Sequence, residues 1–184
     1  MPDGTPVPTL EILSPAPGTG LVFFATLATY IERWLQDLGF SAQAVVTDLG
    51  FLFADVWPGV GVEPHFDLYV LGWSLGNPAF PNFHDSFFHS RNLAELNDGN
   101  NAVGYVNPEF DALAEQIYQV DTADKAKAII WELEAILADD LPYVVISSFP
   151  AREAVSSRLV LPFTETLNGL TYATAFPGLV RIRY

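Results

Sequence analysis

The run Phe66-Asp67-Leu68-Tyr69-Val70-Leu71 is apolar and β-prone, and it breaks at once into Gly72-Trp73-Ser74-Leu75-Gly76-Asn77-Pro78. A buried strand that empties into a loop of Gly, Trp and Pro sets an indole and permissive backbone at a strand end. Open α/β sheets bind small molecules at that position. The pattern points to recognition chemistry, and the rest of the chain has to supply the sheet around it.

It does so in alternation. Residues 9–13 read as a short strand, and Ser14-Pro15-Ala16-Pro17-Gly18-Thr19-Gly20 behind them breaks both regular periods. Over residues 21–38, Leu27, Tyr30, Ile31, Trp34, Leu35 and Leu38 recur at three- and four-residue steps, which predicts a helix stopped by Gly39. Residues 41–47 read as a strand, and residues 50–57 as a short helix presenting Phe51, Leu52 and Val56. Pro58 to Pro64 breaks the pattern before the Phe66 strand. Strands separated by helices predict βαβ units, hence an α/β fold with a mainly parallel central sheet flanked by helices.

Residues 77–104 are irregular, with a short helix around residues 80–88 and an amide-rich turn at Asn97-Asp98-Gly99-Asn100-Asn101. Asn107 caps the next helix, Pro108 fits its first turn, and Phe110, Leu113, Ala114 and Ile117 form its apolar face. A longer helix starts at Asp121 or Thr122 and carries the stripe Ala126, Ile129, Ile130, Leu133, Ile136 and Leu137. Leu141-Pro142 ends it, and residues 143–147 resume as a strand. Trp34 and Trp131 sit on amphipathic faces and read as packing residues.

The chain has 184 residues, enough for one sizeable domain or one lobe of something larger. Its 22 acidic and 8 basic side chains give a formal charge of −14, which opposes binding to nucleic acid or anionic lipid. The charge is uneven: residues 1–90 hold one basic side chain, Arg33, whereas residues 151–184 hold Arg152, Arg158, Arg181 and Arg183 against Glu153 and Glu165. There is no cysteine, so disulfides, thiolate metal sites and cysteine nucleophiles are excluded. No apolar stretch reaches the length of a membrane-spanning helix. The opening Met1-Pro2-Asp3-Gly4-Thr5-Pro6 has no signal-peptide character.

Taken in order and spacing, four landmarks resemble the C-terminal lobe of the family 5 extracellular solute-binding proteins, the peptide- and nickel-type receptors of bacterial ABC importers. They are Phe66-Asp67-Leu68 through Gly72-Trp73, then Gly104-Tyr105-Val106-Asn107-Pro108-Glu109-Phe110-Asp111-Ala112-Leu113, the helix over residues 121–137, and Leu141-Pro142-Tyr143-Val144-Val145. The resemblance implies one lobe of a periplasmic-binding-protein-like (type II) fold, in a protein that is periplasmic or a cell-surface lipoprotein. It implies residues 1–149 as that lobe and residues 150–184 as a segment returning toward a missing N-terminal lobe. The implied partners are a small solute or oligopeptide and the transmembrane subunits of an ABC permease. No cofactor is implied, and the signal segment would lie upstream.

The resemblance also implies the ligand-binding residues: Trp73, Ser74, Gly76, Asn77 and Phe80. In peptide-binding members an aspartate three residues after the Trp pairs with the ligand α-ammonium group, and here that place is Gly76. A closed site without that carboxylate leaves a buried ammonium unpaired, a loss of several kcal/mol. Asn77 offers only a neutral acceptor, and Asp85 offers a carboxylate in a different register. A neutral or oligosaccharide-like solute stacked on Trp73 and Phe80 fits equally.

Two other chemistries are weaker in the sequence. His84, Asp85 and His89 contain metal-ligating groups, but the five-residue spacing of the imidazoles misses the arrangement that points both to one side of a helix. Catalysis needs a positioned nucleophile and base, and Ser147-Ser148 lies in no Gly-x-Ser-x-Gly elbow, while Asp121, Asp124, Asp139 and Asp140 suit helix ends. The chain therefore reads as a binding protein and not an enzyme. The rival reading is a self-sufficient α/β module that holds a protein partner on an apolar surface.

Overall fold

Ile12 and Leu13 are consecutive residues of strand β1 (Leu10–Pro15), and each belongs to a different apolar layer. Successive strand side chains point to opposite faces, so one buried strand seeds two layers. The computed structural model describes residues 5–18, 22–73, 83–147, 159–160 and 180–181. They fall into two units: Met1–Trp73 with Asn82–Pro142, and Ser74–Pro81 with Tyr143–Tyr184.

In the first unit, α1 (Val22–Asp37), β2 (Ala42–Thr47), α2 (Leu49–Val56) and β3 (Leu68–Tyr69) follow β1. The three strands are parallel in the order β2-β1-β3. Leu27 and Ala28 of α1 bury against Ile12, Ala42 and Val70, while Leu52 and Val56 of α2 bury against Leu13 on the other face. Both faces of the sheet are thereby covered, as a parallel sheet requires. Gly39 follows α1 with φ +92°, a left-handed conformation that favours glycine and ends the helix.

Two sequence expectations change here. The Phe66 strand is only two residues long, because the Asp67 carboxylate accepts the Glu11 N–H at 2.8 Å and so takes a place that a strand backbone would fill. Pairing resumes at Val70, whose N–H donates to Leu13 O at 2.8 Å. The apolar face of α1 is also narrower than its periodicity suggests. Leu27, Ile31 and Leu35 face the sheet, whereas Tyr30, Trp34 and Leu38 are exposed one step round the helix. Phe51 on α2 is likewise exposed.

A third layer is built from α3 (Phe83–Phe88), α4 (Ala94–Asn97), α5 (Pro108–Gln116) and α6 (Ala123–Asp140). Asn107 caps α5 by accepting from Glu109 N and Phe110 N, with Pro108 in the first turn, and Thr122 caps α6 by accepting from Lys125 N. Phe88, Tyr105 and Phe110 meet edge to face, with centroids 5.7 to 6.2 Å apart. Of the α6 stripe only Leu133 is fully buried, and the other stripe positions are half-buried. Trp131 is 61% exposed and lies under the Lys127 ammonium, so it is a surface residue and not a packing one. Trp34 is the second such correction, 54% exposed and stacked on Tyr30.

In the second unit, β4 (Leu159–Val160) and β5 (Val180–Arg181) pair antiparallel. Residues 143–147 do not form the expected strand. Their backbone is irregular, and Val144, Val145 and Ile146 are exposed. A β-prone sequence becomes a strand only when a second strand completes its hydrogen bonds.

Candidate functional site

The order β2-β1-β3 means that the chain crosses from one edge of β1 to the other between β2 and β3. Such a reversal in a parallel sheet opens a crevice at the carboxyl ends of the strands. Trp73 follows on that side of the sheet, four residues beyond the end of β3. Its side chain is 41% exposed. Ser74, Gly76, Asn77 and Phe80 lie outside the described residues.

The indole is held from behind by other rings. Trp57, at the C-terminal cap of α2, meets it edge to face at 5.4 Å, and Phe87 of α3 meets it at 4.7 Å and 61°. Phe83 stacks on Phe87 at 4.5 Å, and Tyr69 of β3 meets Trp57 at 5.7 Å. Four separate segments thus contribute to one aromatic wall. Gly72 packs closely beside it: a Cβ there would sit 2.8 Å from Phe24 Cζ of α1, so any side chain would force that ring to shift. Trp57 Nε1 is buried without a hydrogen-bond partner. Unpaired buried donors are uncommon in packed cores, so this one marks the wall as an unusual place.

The carboxylate nearest Phe83 and Phe87 of the wall in sequence is occupied. Asp85 is buried, with one carboxylate oxygen bound by the Arg91 guanidinium and the other accepting from the Tyr118 hydroxyl at 2.8 Å. It therefore cannot stand in for the carboxylate missing at Gly76. His89 is buried behind it: Nδ1 accepts from Arg91 N at 3.1 Å, and Asp111 Oδ1 lies 3.3 Å away. Among the described residues, no three His, Cys, Asp or Glu side chains gather as a metal site.

His84 Nδ1 is buried and unpartnered, and Nε2 lies 3.6 Å from Glu134 Oε1. Burial pushes the imidazole pKa below its usual 6.5, against the smaller raising effect of Glu134. The native His84 is held neutral, whereas the unfolded chain takes up a proton as the pH falls through 6.5, so acidification weakens the fold through this group. His84→Gln is expected to flatten the decline of the urea midpoint between about pH 7 and about pH 5. Parallel declines in parent and variant would show that the imidazole charges freely in the folded chain.

Two open grooves of about 480 and 500 Å³ lie elsewhere, at the amino ends of the strands, and share Glu63, Pro64, Phe66 and Asp67. They are away from Trp73 and from the carboxyl ends, where a parallel sheet places its ligand crevice. The sequence reading singles out Trp73 but not Trp57, Phe83 or Phe87. The available signal for Trp57 is its place between the end of a short helix and Pro58-Gly59, and nothing local links it to Trp73, sixteen residues on.

No protein-family model matches the sequence, and no curated protein matches it at a significant level. Solved structures do match. The oligopeptide-binding protein AppA from Bacillus subtilis, in complex with a nonapeptide, aligns over 95% of this chain and 32% of its own, with TM-score 0.66 and 18% identity. The mannohexaose-bound periplasmic oligopeptide-binding protein of an ABC transporter from Thermotoga maritima aligns over 77% of this chain and 25% of its own, with TM-score 0.61 and 22% identity. NikZ from Campylobacter jejuni, in complex with Ni(L-His), aligns over 73% and 25%, with TM-score 0.57 and 20% identity. The chain spans between a quarter and a third of the length of these structures. Its α/β architecture, with a small parallel sheet between helices, is therefore a type II periplasmic-binding-protein-like fold, as it occurs in part of these matched structures.

Proposed function

We propose that this chain is a ligand-binding lobe of an extracytoplasmic receptor serving an ABC importer. It captures a small solute or oligopeptide by closing against a second lobe and delivers it to the permease. Residues 1–149 form the lobe, and residues 150–184 return toward the partner lobe. The receptor is periplasmic or anchored at the cell surface as a lipoprotein. Binding and hand-over, not bond making, are its chemistry.

One observation carries this reading. A half-open indole stands beyond the carboxyl end of a strand in a parallel sheet, on a chain whose fold matches an oligopeptide-binding protein along 95% of its length. Trp73 is the principal contact, with Ser74, Gly76, Asn77 and Phe80 following it in the sequence. No helix among the described residues is long and apolar enough to cross a membrane. The matched proteins hold a nonapeptide, a nickel–histidine complex and a mannohexaose, so the fold alone does not fix the cargo.

A two-lobe site loses its enclosure and about half its contacts when one lobe is alone. Calorimetry is expected to give binding at least about tenfold tighter for the complete reading-frame product than for the 184 residues alone, with the solute identified by native mass spectrometry. Equal, tight binding by both would sink the half-site. A specific protein partner captured with no solute bound would favour the interaction module.

A further inference from the structure

β2 is an edge strand. It pairs with β1 on one side, and no strand among the described residues lies on the other. Leu10 N donates to Ser41 O and Ala16 N donates to Thr47 O, so the odd-numbered carbonyls of this segment face β1. Alternation along the extended backbone then turns the N–H and C=O groups of Ala42, Ala44 and Val46 outward. Such a row of outward backbone groups is a template on which a further strand can add.

The strand itself carries none of the usual deterrents. Ala42-Gln43-Ala44-Val45-Val46-Thr47 has no charge, no proline and no glycine, and it ends in a β-branched run. That is the composition of segments that pair with copies of themselves. Val46 is exposed on it.

What closes the edge comes from α1. Glu32 and Gln36 stand one turn apart on that helix and both reach the outward groups of β2. Glu32 Oε2 accepts from Ala44 N at 3.1 Å, and Gln36 Nε2 donates to Ala42 O at 3.0 Å. The two side chains are also joined, Gln36 Nε2 donating to Glu32 Oε1 at 3.2 Å. Both carboxylate oxygens and both amide hydrogens are therefore engaged. Ala42 and Ala44 are thus each held by α1, and the remaining outward residue, Val46, stands just before the chain turns into α2 at Leu49. A single residue is too short for a strand ladder.

We infer that Glu32 and Gln36 guard the outer edge of β2, and that the partner they turn away is the same edge of a second copy of this chain. A two-fold axis would lay β2 against β2 antiparallel, one uncharged strand on another. The charge of −14 keeps copies apart at long range, but salt screens that repulsion beyond about 8 Å at physiological ionic strength. A fixed block on the edge itself still acts there. The guard stands independently of the solute-binding reading.

The test uses the complete reading-frame product at physiological ionic strength and the double variant Glu32→Ala with Gln36→Ala, since alanine favours the helix. Sedimentation is expected to show the weight-average mass of the variant rising about twofold or more above the parent's between about 1 and about 100 µM. At the lowest concentration the Ala44 amide should exchange its hydrogen about tenfold faster or more than in the parent, a local opening that precedes pairing. Glu32→Gln keeps an acceptor for Ala44 N and should stay like the parent. Val46→Lys added to the double variant should reverse the association, because a charge on an edge strand blocks pairing. A double variant with the parent's mass at every concentration overturns the guard. Association that persists with Val46→Lys places the contact elsewhere and overturns it too. Should the double variant lose its far-UV spectrum, Gln36→Ala alone, which leaves Glu32 on Ala44, is judged by the same two outcomes.

Discussion

Phe110→Ala is expected to lower the unfolding free energy by about 4 kcal/mol, the range for deleting a fully buried phenyl ring. Phe110 has no exposed surface, and its ring meets Phe88 of α3 at 6.1 Å and Tyr105 at 5.7 Å, both edge to face. It sits in the first turn of α5, which packs on both α3 and α6. The vacated space is bounded by rings and helix backbone that cannot easily collapse into it, so the cavity cost adds to the lost transfer energy. Urea denaturation followed by far-UV circular dichroism measures the effect. Phe110→Leu should cost only about 1 to 2 kcal/mol, because most of the volume is restored. A loss below about 1 kcal/mol in the alanine variant would mean that this layer is not packed around the ring.

Asn101→Leu is expected to cost about 3 kcal/mol, although leucine is similar in size and apolar. Asn101 is buried, and its amide is fully used: Nδ2 donates to Tyr105 O at 2.8 Å and approaches Phe88 O and His89 O, while Oδ1 accepts from Tyr105 N at 3.1 Å. One side chain thereby joins the end of α3 to the approach to α5. Replacing it leaves several backbone groups without partners, each costing about 1 to 3 kcal/mol when removed from water. Asn101→Asp separates this cause from packing, because it keeps the shape and the acceptor but removes the donors and introduces a charge. It should be at least as destabilising as the leucine variant at neutral pH and recover in part as acid protonates the new carboxyl. Leucine tolerated within about 0.5 kcal/mol would show that the amide network carries little stability.

Much of the fold is legible in short stretches of sequence. Asn107 before Pro108, Thr122 before α6 and Gly39 after α1 act through neighbours within three or four residues, and each occupies its expected place. The β-α-β alternation is similarly local in origin, and it suffices to require a parallel sheet covered on both faces. Periodicity gives the existence of α1 but not which of its apolar residues are covered. Tyr30 and Ile31 are adjacent and both apolar, and only contact with the sheet distinguishes them. The Phe66 strand is shortened by a carboxylate that reaches Glu11, fifty-six residues earlier in the chain.

The same division holds at the candidate site. The sequence by itself determined the order of the elements, the helix caps and the indole beyond β3, because each depends on residue type and near spacing. Only the tertiary structure decided that Trp57 and Phe87 brace Trp73 and that Asp85 is sequestered by Arg91 and Tyr118. Those outcomes depend on which surfaces bury each other when distant segments pack, and the Asp85–Tyr118 hydrogen bond spans thirty-three residues.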